Sequence, residues 1–378
     1  MLKSGWEVKT LGDICDVIGG GTPSKDNDAF YQGDIPWATV RDMKFDILHR
    51  TDFCITEEAV KKSSTNVIKA GNVIIATRVG LGKVCLLKHD TAINQDLRAI
   101  IPRDKNKISI SYLFWWLKSI AHLIEEEGTG ATVKGVKLPF VKSLKVPLPP
   151  LPEQTRIVAI LDEAFANISQ AVANAEKNLA NARELFDSYL ESIADHAKPL
   201  GTFVDIKTGK LDANAAIVDG KYPFFTCSRE IYQIDDYAFD CEAILLAGNN
   251  ASGDFNVKHF KGKFNAYQRT YVITIKDEDS LLYRFLYYQM IKSLKELKES
   301  SVGAGTKFLK LGMIKDLKIS IPPIPVQKKT LDVLEKLSGN LSDLEDVYRR
   351  KLAALAELKQ ALLQKAFTGE LTAADQST

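Results

Sequence analysis

From residue 153 to about residue 196 the sequence has neither glycine nor proline, although the chain carries 23 glycines and 13 prolines elsewhere. Without either breaker such a stretch has no signal for a turn, and one long helix is expected. Cysteine is scarce as well. Cys15, Cys54, Cys85, Cys227 and Cys241 are odd in number and widely spaced, with no CxxC pair. This argues against a disulfide framework and for reduced thiols in a cytoplasmic protein. No apolar run reaches membrane-spanning length and no signal-like stretch opens the chain, so a soluble protein with no membrane contact is expected. The five histidines, His49, His89, His122, His196 and His259, show no metal-ligand spacing. "GGGTP" at Gly19–Pro23 and "GLGK" at Gly80–Lys83 look like phosphate loops, but Val84 follows Lys83 and breaks the GxxxxGK[ST] pattern. "DLK" at Asp316–Lys318 and "ELK" at Glu357–Lys359 are too short to mark a nuclease, and no Asn-Pro-Pro-aromatic motif for amino-methylation occurs. No catalytic constellation emerges, so the chain reads as a non-enzyme with no cofactor or metal of its own.

The glycine-free stretch carries a stripe: Ile157, Leu161, Ala164, Ile168, Ala171, Ala175, Leu179, Ala182, Phe186, Tyr189 and Ile193. Steps of three and four residues, with one extra four-residue step, are those of a coiled coil containing a stutter. The proline run Pro147 to Pro152 before it reads as extended backbone, with the helix starting at Glu153. This junction occurs twice. Leu138–Leu161 and Leu311–Leu334 align without a gap, with 9 identities in 24 at an offset of 173. A second stripe follows: Leu334, Leu337, Leu341, Leu344, Tyr348, Leu352, Leu355, Leu358 and Leu362. The chain is therefore two copies of one unit.

Each copy has a globular part of mixed α/β character. In the first, strands are expected at Val73–Ala76, Lys83–Leu87 and Leu97–Ile101, then a helix capped by Ser111 and ended by Gly128, with Trp115 and Trp116 in the core. In the second, "EAILLAGNNASGDFNV" from Glu242 stands where "NVIIATRVGLGKV" stands from Asn72, and Gln268 lies 173 residues after Gln95. The expected organisation is a globular domain over 1–150, a helical spacer over 151–197, a second globular domain over 198–323 and a helical spacer over 324–378.

Net charge is +2, but the first helical stretch, 153–196, has 8 acidic and 3 basic residues. That stretch is expected to touch protein rather than phosphate, leaving any nucleic-acid surface to the globular parts. There the polar loops supply cations for phosphates and amide or guanidinium forks for base edges. In the first part the candidates are Arg41, Arg78, Lys83, Asn94, Gln95, Arg98, Lys134 and Lys137. In the second they are Arg229, Asn249, Asn250, Lys258, Lys261, Lys263, Gln268, Arg269, Lys307 and Lys310. For Gln95 and Gln268 two readings stand open: a base contact, or a structural hydrogen bond shared by the repeats.

"VPLPPLPEQTRIVAILDEAF", its partner "ISIPPIPVQKKTLDVL" and the terminal "LLQKAFTGEL" resemble the specificity subunits of type I restriction-modification enzymes, as do "NVIIATRVGLGKV" and "AINQDLRAI". The resemblance covers nearly the whole chain; Val326 departs from it where the first copy has Glu153. It implies two target-recognition domains that each read half of a split double-stranded DNA site, separated by two long helices packed antiparallel. It also implies a non-catalytic chain whose partners are two methyltransferase (modification) subunits and ATP-driven restriction subunits. Two rival readings are a structural adaptor joining two protein-binding modules without nucleic acid, and a stand-alone nuclease or methyltransferase.

Overall fold

A computed structural model of the chain describes residues 5–130, 134–192 and 197–373. It divides into two compact units, Met1–Asn174 with Arg350–Thr378, and Ala175–Arg349. Two helices, Leu151–Glu191 and Ile324–Thr368, each contribute residues to both units.

In the first unit a five-stranded sheet runs in the order Cys15–Gly19, Leu97–Pro102, Val73–Ala76, Val84–Leu87, Ile47–Leu48. Its pairs are antiparallel except the last, Ile47–Leu48 against Val84–Leu87. A four-stranded sheet orders Phe53–Ile55, Ile35–Ala38, Thr91–Ile93 and Asn66–Ile68. Val73–Ala76 is fully buried, as an unbroken Val-Ile-Ile-Ala run requires. Over one face lies the helix Ile110–Ser119, with Tyr112 through Leu117 all buried. Trp115 and Trp116 are thus core residues, and the Trp115 indole N–H donates to Asp162 at 2.7 Å. The cap of this helix is Ser109 rather than Ser111, because Ser109 has the extended backbone that lets its hydroxyl accept from Tyr112 N. The helix also stops at Ser119, and a second short helix, Ala121–Glu126, follows before Gly128.

The second unit is built from a six-stranded sheet in the order Val204–Thr208, Thr270–Ile275, Phe239–Ala247, Val257–Ala266, Tyr222–Phe225, Tyr232–Ile234. Its covering helix is Tyr283–Lys292. The repeat is one of structure as well: Leu97 pairs with Ala76 as Thr270 pairs with Ala247, and Leu11 N donates to Leu144 O as Leu200 N donates to Leu317 O.

The proline junction differs from expectation at both ends. Pro147 sits in a strand, Lys145–Leu148, paired only with Glu7–Thr10, so its missing N–H breaks no inner ladder. The first long helix begins at Leu151 and holds Pro152 in its first turn, where no intrahelical N–H is needed. It runs to Glu191; Ile193 and the expected end near His196 lie outside the described residues.

Within each unit the two helices pack antiparallel. In the first unit Ile157 and Leu161 share a core with Leu363 and Ala366. In the second, Phe186 and Leu190 meet Leu334, Asn178 bonds Tyr348 and Arg183 bonds Glu345. The described members of the first stripe are all buried or half-buried. In the second stripe Leu344 and Leu358 are exposed, while Leu363 and Ala366, outside the expected stripe, are buried. At the end of the second helix Leu363 and Ala366 join the core of the first unit, and Phe367 lies edge-on to Tyr112 on the sheet-covering helix.

Each junction is fixed by one glutamine with no exposed surface. Gln154 accepts from Ser109 N at 2.9 Å and donates to Lys107 O at 2.7 Å and Pro149 O at 2.9 Å. Gln327 repeats the set at the 173-residue offset: it accepts from Leu282 N at 3.0 Å and donates to Ser280 O and Pro322 O, both at 2.8 Å. A buried amide with its donors and acceptor all partnered carries little desolvation penalty.

Candidate functional site

In the first unit four chain segments meet at one end of the sheets through their backbones. Asn94 N donates to Ala38 O at 3.0 Å, Thr77 N to Asp96 O at 2.8 Å, and Val136 N to Thr77 O at 2.9 Å. These bonds bring Arg41, Arg78, Lys83, Asn94, Gln95 and Lys134 to the same loop cluster. Arg78 pairs with Asp96 at 3.5 Å, and Lys83 Nζ reaches Val40 O at 3.5 Å. A cleft of about 770 Å³ opens there, lined by Arg41, Asn94 and Gln95 together with Tyr31, Trp37 and Phe53. Asn94 is buried and its amide is taken up by Asp96, whereas Arg41, Arg78, Lys83 and Lys134 are exposed. Gln95 is exposed, its carbonyl accepting from the Thr22 hydroxyl. Lys137 is exposed at the start of the helix Leu138–Ser143. Arg98 faces Gly19 across the sheet. Gly19–Gly21 is no phosphate cradle: a side chain on Gly20 would overlap the Ile93 carbonyl, and one on Gly21 would overlap Ser64, so close chain packing accounts for the glycines.

The corresponding end of the second unit gathers Asn249, Asn250, Lys258, Arg269 and Lys307. Gly248 N donates to Arg269 O and Leu309 N to Gly248 O, both at 2.9 Å, and Asn250 pairs with Lys307 in a two-residue ladder. Arg269 is exposed and stacks over Phe308 with its guanidinium 5.4 Å from the ring centre. Asn250 Oδ1 accepts from Ser252 N and Asp254 N, closing its own turn. Lys258 points inward: burial holds its ammonium below the ordinary lysine range, and it donates to Ser228 O at 2.6 Å and to Asn256. Gln268 is exposed and bonds Asp212, in the segment after the strand Val204–Thr208, as Thr22 follows the strand Cys15–Gly19 in the other unit. The equivalent glutamines therefore share a position and a structural hydrogen bond, with different partners. Three cations stand apart. Lys263 lies over Tyr237 at the far end of the strand Val257–Ala266. Lys261 pairs with Glu242 at 2.9 Å, and Lys310 is exposed before the helix Leu311–Asp316. Arg229 pairs with Asp254 at 2.7 Å, holding that carboxyl below its usual range.

Sequence reasoning passed over Thr22, Lys25 and Val79, which line the first cleft, and Asn256, whose amide donates to Cys227 O at 2.9 Å. It also passed over the role of Gln154 and Gln327, although their identity amid exchanged neighbours was a readable signal. Among the described residues no group of three or more His, Cys, Asp or Glu could hold a metal, and no helix is long and apolar enough to cross a membrane.

A family model described as "Type I restriction modification DNA specificity domain" matches residues 3–177 and 197–352. The chain is 25% identical to the type I restriction enzyme MjaIX specificity subunit of Methanocaldococcus jannaschii, over 97% of this chain and 93% of that subunit. It is 40% identical to the EcoDI specificity subunit of Escherichia coli over 46% of this chain and 38% of that one. With the EcoR124I/EcoR124II specificity subunit of Escherichia coli it shares 33% identity over 51% of this chain and 49% of that one. The match thus spans less than half the length of either Escherichia coli relative. In fold, the chain is similar to one solved in work on complex assembly and conformational transition of the type I R-M system, with TM-score 0.78 and 19% identity, covering 98% of this chain and 100% of that one. It is also similar to the HsdS subunit of Thermoanaerobacter tengcongensis, with TM-score 0.58 and 18% identity over 98% of each chain.

Proposed function

Because this chain belongs to the type I restriction-modification DNA specificity family, we propose that its two α/β units each read one half of a split double-stranded DNA site. The recognition parts are residues 1–150 and 198–323, and the helical spacers 151–197 and 324–378 set the gap. The observation that carries this reading is the repeated loop cluster. Cations and amides far apart in sequence gather at the same end of each unit, on a repeated scaffold whose loops differ. Such an arrangement suits two readers with different targets, phosphates fixing the position and base edges the identity. Within it the exposed Arg41, Arg78, Lys83, Gln95, Lys134, Gln268 and Arg269 reach DNA, with Asn249, Asn250 and Lys307 beside them. Lys137 and Lys263 make outlying contacts to the duplex backbone, while Asn94 and Lys258 hold the loops that carry the others. The chain itself is non-catalytic and cytoplasmic. It docks two modification subunits that methylate adenine, and ATP-driven restriction subunits act on the assembled complex.

Sequencing methylated adenines in cells with and without the chain tests this directly: a split motif should vanish with the chain. An unchanged methylation map, with no salt-sensitive DNA binding, would favour the adaptor reading. Exchanging residues 198–310 for a relative's segment should alter one half-site only, and a map in which both halves change contradicts independent readers. Arg269→Ala should lose about 1–3 kcal/mol of binding free energy and relax one base position if its fork reads a base. A phosphate contact would instead weaken all sequences evenly and flatten the salt slope. Gln268→Ala distinguishes the same alternatives at the neighbouring residue, and if neither variant changes affinity or specificity this loop is not at the interface.

A further inference from the structure

Two non-glycine residues among those described have positive φ: Asp219 at 61° and Val79 at 48°. Aspartate tolerates this left-handed region. A β-branched residue does not, because its Cβ substituents crowd the backbone. Burial does not offset the strain at Val79, since the residue is 51% exposed. The backbone on either side is held: Arg78 N donates to Asp96 O at 3.3 Å, and Gly80 is itself left-handed at 67°. The result is an isopropyl group on the wall of the cleft that also carries Arg41 and Gln95. In the second unit the third residue after the equivalent alanine, Ala247, is Asn250, which has no positive φ and pairs with Lys307 in the short ladder. The first unit therefore keeps a strained, apolar, solvent-facing side chain where the second has a polar one.

We propose that Val79 is a specificity-determining residue that packs against the C5 methyl of a thymine in the half-site read by the first unit. This rests on the DNA-reading function proposed above and adds to it the chemistry of one contact. The thymine methyl is the apolar mark a major groove offers, and Arg41, Arg78 and Gln95 beside Val79 supply the polar contacts that would seat it there.

The test uses the full chain assembled with its modification subunits and duplexes bearing the mapped site. Each thymine of the first half-site is replaced in turn by deoxyuridine, which removes only the methyl group. One replacement should weaken wild-type binding about three- to tenfold, the range expected for one methyl group taken out of water. Val79→Gly relaxes the backbone, so its thermal midpoint should not fall, and it should bind the thymine and uracil duplexes alike. Val79→Asn, carrying the residue type of the second unit, should lose the same discrimination. The inference is overturned if no replacement on either strand of the first half-site weakens binding, or if Val79→Gly still prefers thymine. Absence of any salt-sensitive duplex binding by wild type would overturn the DNA-reading function itself, and this contact with it.

Discussion

Gln154→Ala is expected to lower the unfolding free energy of the first unit by about 3–5 kcal/mol, among the largest effects of any single substitution in the chain. Truncation leaves Ser109 N, Lys107 O and Pro149 O without their partner where the fully buried Gln154 side chain stood. Each stranded group costs about 1–3 kcal/mol, and partial entry of water keeps the sum below the maximum. Urea denaturation followed by tryptophan fluorescence reads this well, since Trp115 and Trp116 lie on the helix that Gln154 holds. Gln154→Glu sharpens the test. The carboxylate still accepts from Ser109 N but faces two carbonyl oxygens, so its folded pKa must rise above the unfolded value. A group raised in this way gives its stability at low pH and loses it as pH rises through the folded value. The glutamate variant should therefore be more stable in acid than at neutral pH, relative to wild type. A loss below about 1 kcal/mol for alanine, or no pH dependence for glutamate, removes the clamp from the account.

A matched insertion of four residues in both long helices, after Asn174 and after Arg349, should leave the chain folded and move its preference to a gap about two base pairs longer. Both helices must be lengthened, because each contributes to both units. A change in one alone slides its stripe a full turn along the other. Four residues add about 6 Å and about 40° of rotation. Two base pairs add a similar length and about 70° of twist, leaving about 30° for the coil to absorb as a second stutter. Two inserted residues behave differently. They add only about 3 Å but turn each stripe by about 200°. Ala175, Phe186 and Leu190 could then face their partners only if a helix broke, so that variant should lose assembly with its partner subunits. Methylation at an unaltered gap in cells carrying the folded four-residue variant would show that the helices do not measure it.

The long helices and the repeat were legible because they rest on patterns that extend over dozens of residues: a three-four apolar step and a constant offset of 173. Val73–Ala76 and the core placement of Trp115 and Trp116 were legible for a related reason, since continuous apolar runs have few places to go. Ends and caps were not. Ser109 and Ser111 look alike in sequence, and only backbone geometry selects Ser109. The candidate loops were legible as loops, but which side chains face outward was not. Lys258 and Lys261 stand three residues apart on one strand; the first is drawn into carbonyl oxygens and the second pairs with Glu242 at the surface. Val79 gave no signal at all, because an exposed valine is unremarked until its backbone angle is known.

Every partner of Gln154 and Gln327 is a main-chain atom: Ser109 N, Lys107 O and Pro149 O in one unit, Leu282 N, Ser280 O and Pro322 O in the other. The clamp itself is therefore indifferent to the side chains of the residues it binds, while Trp115 with Asp162 and Tyr112 with Phe367 add side-chain contacts between the α/β unit and the long helices. Substitutions at Lys107 or Ser280 that keep the backbone in place should leave the clamp intact.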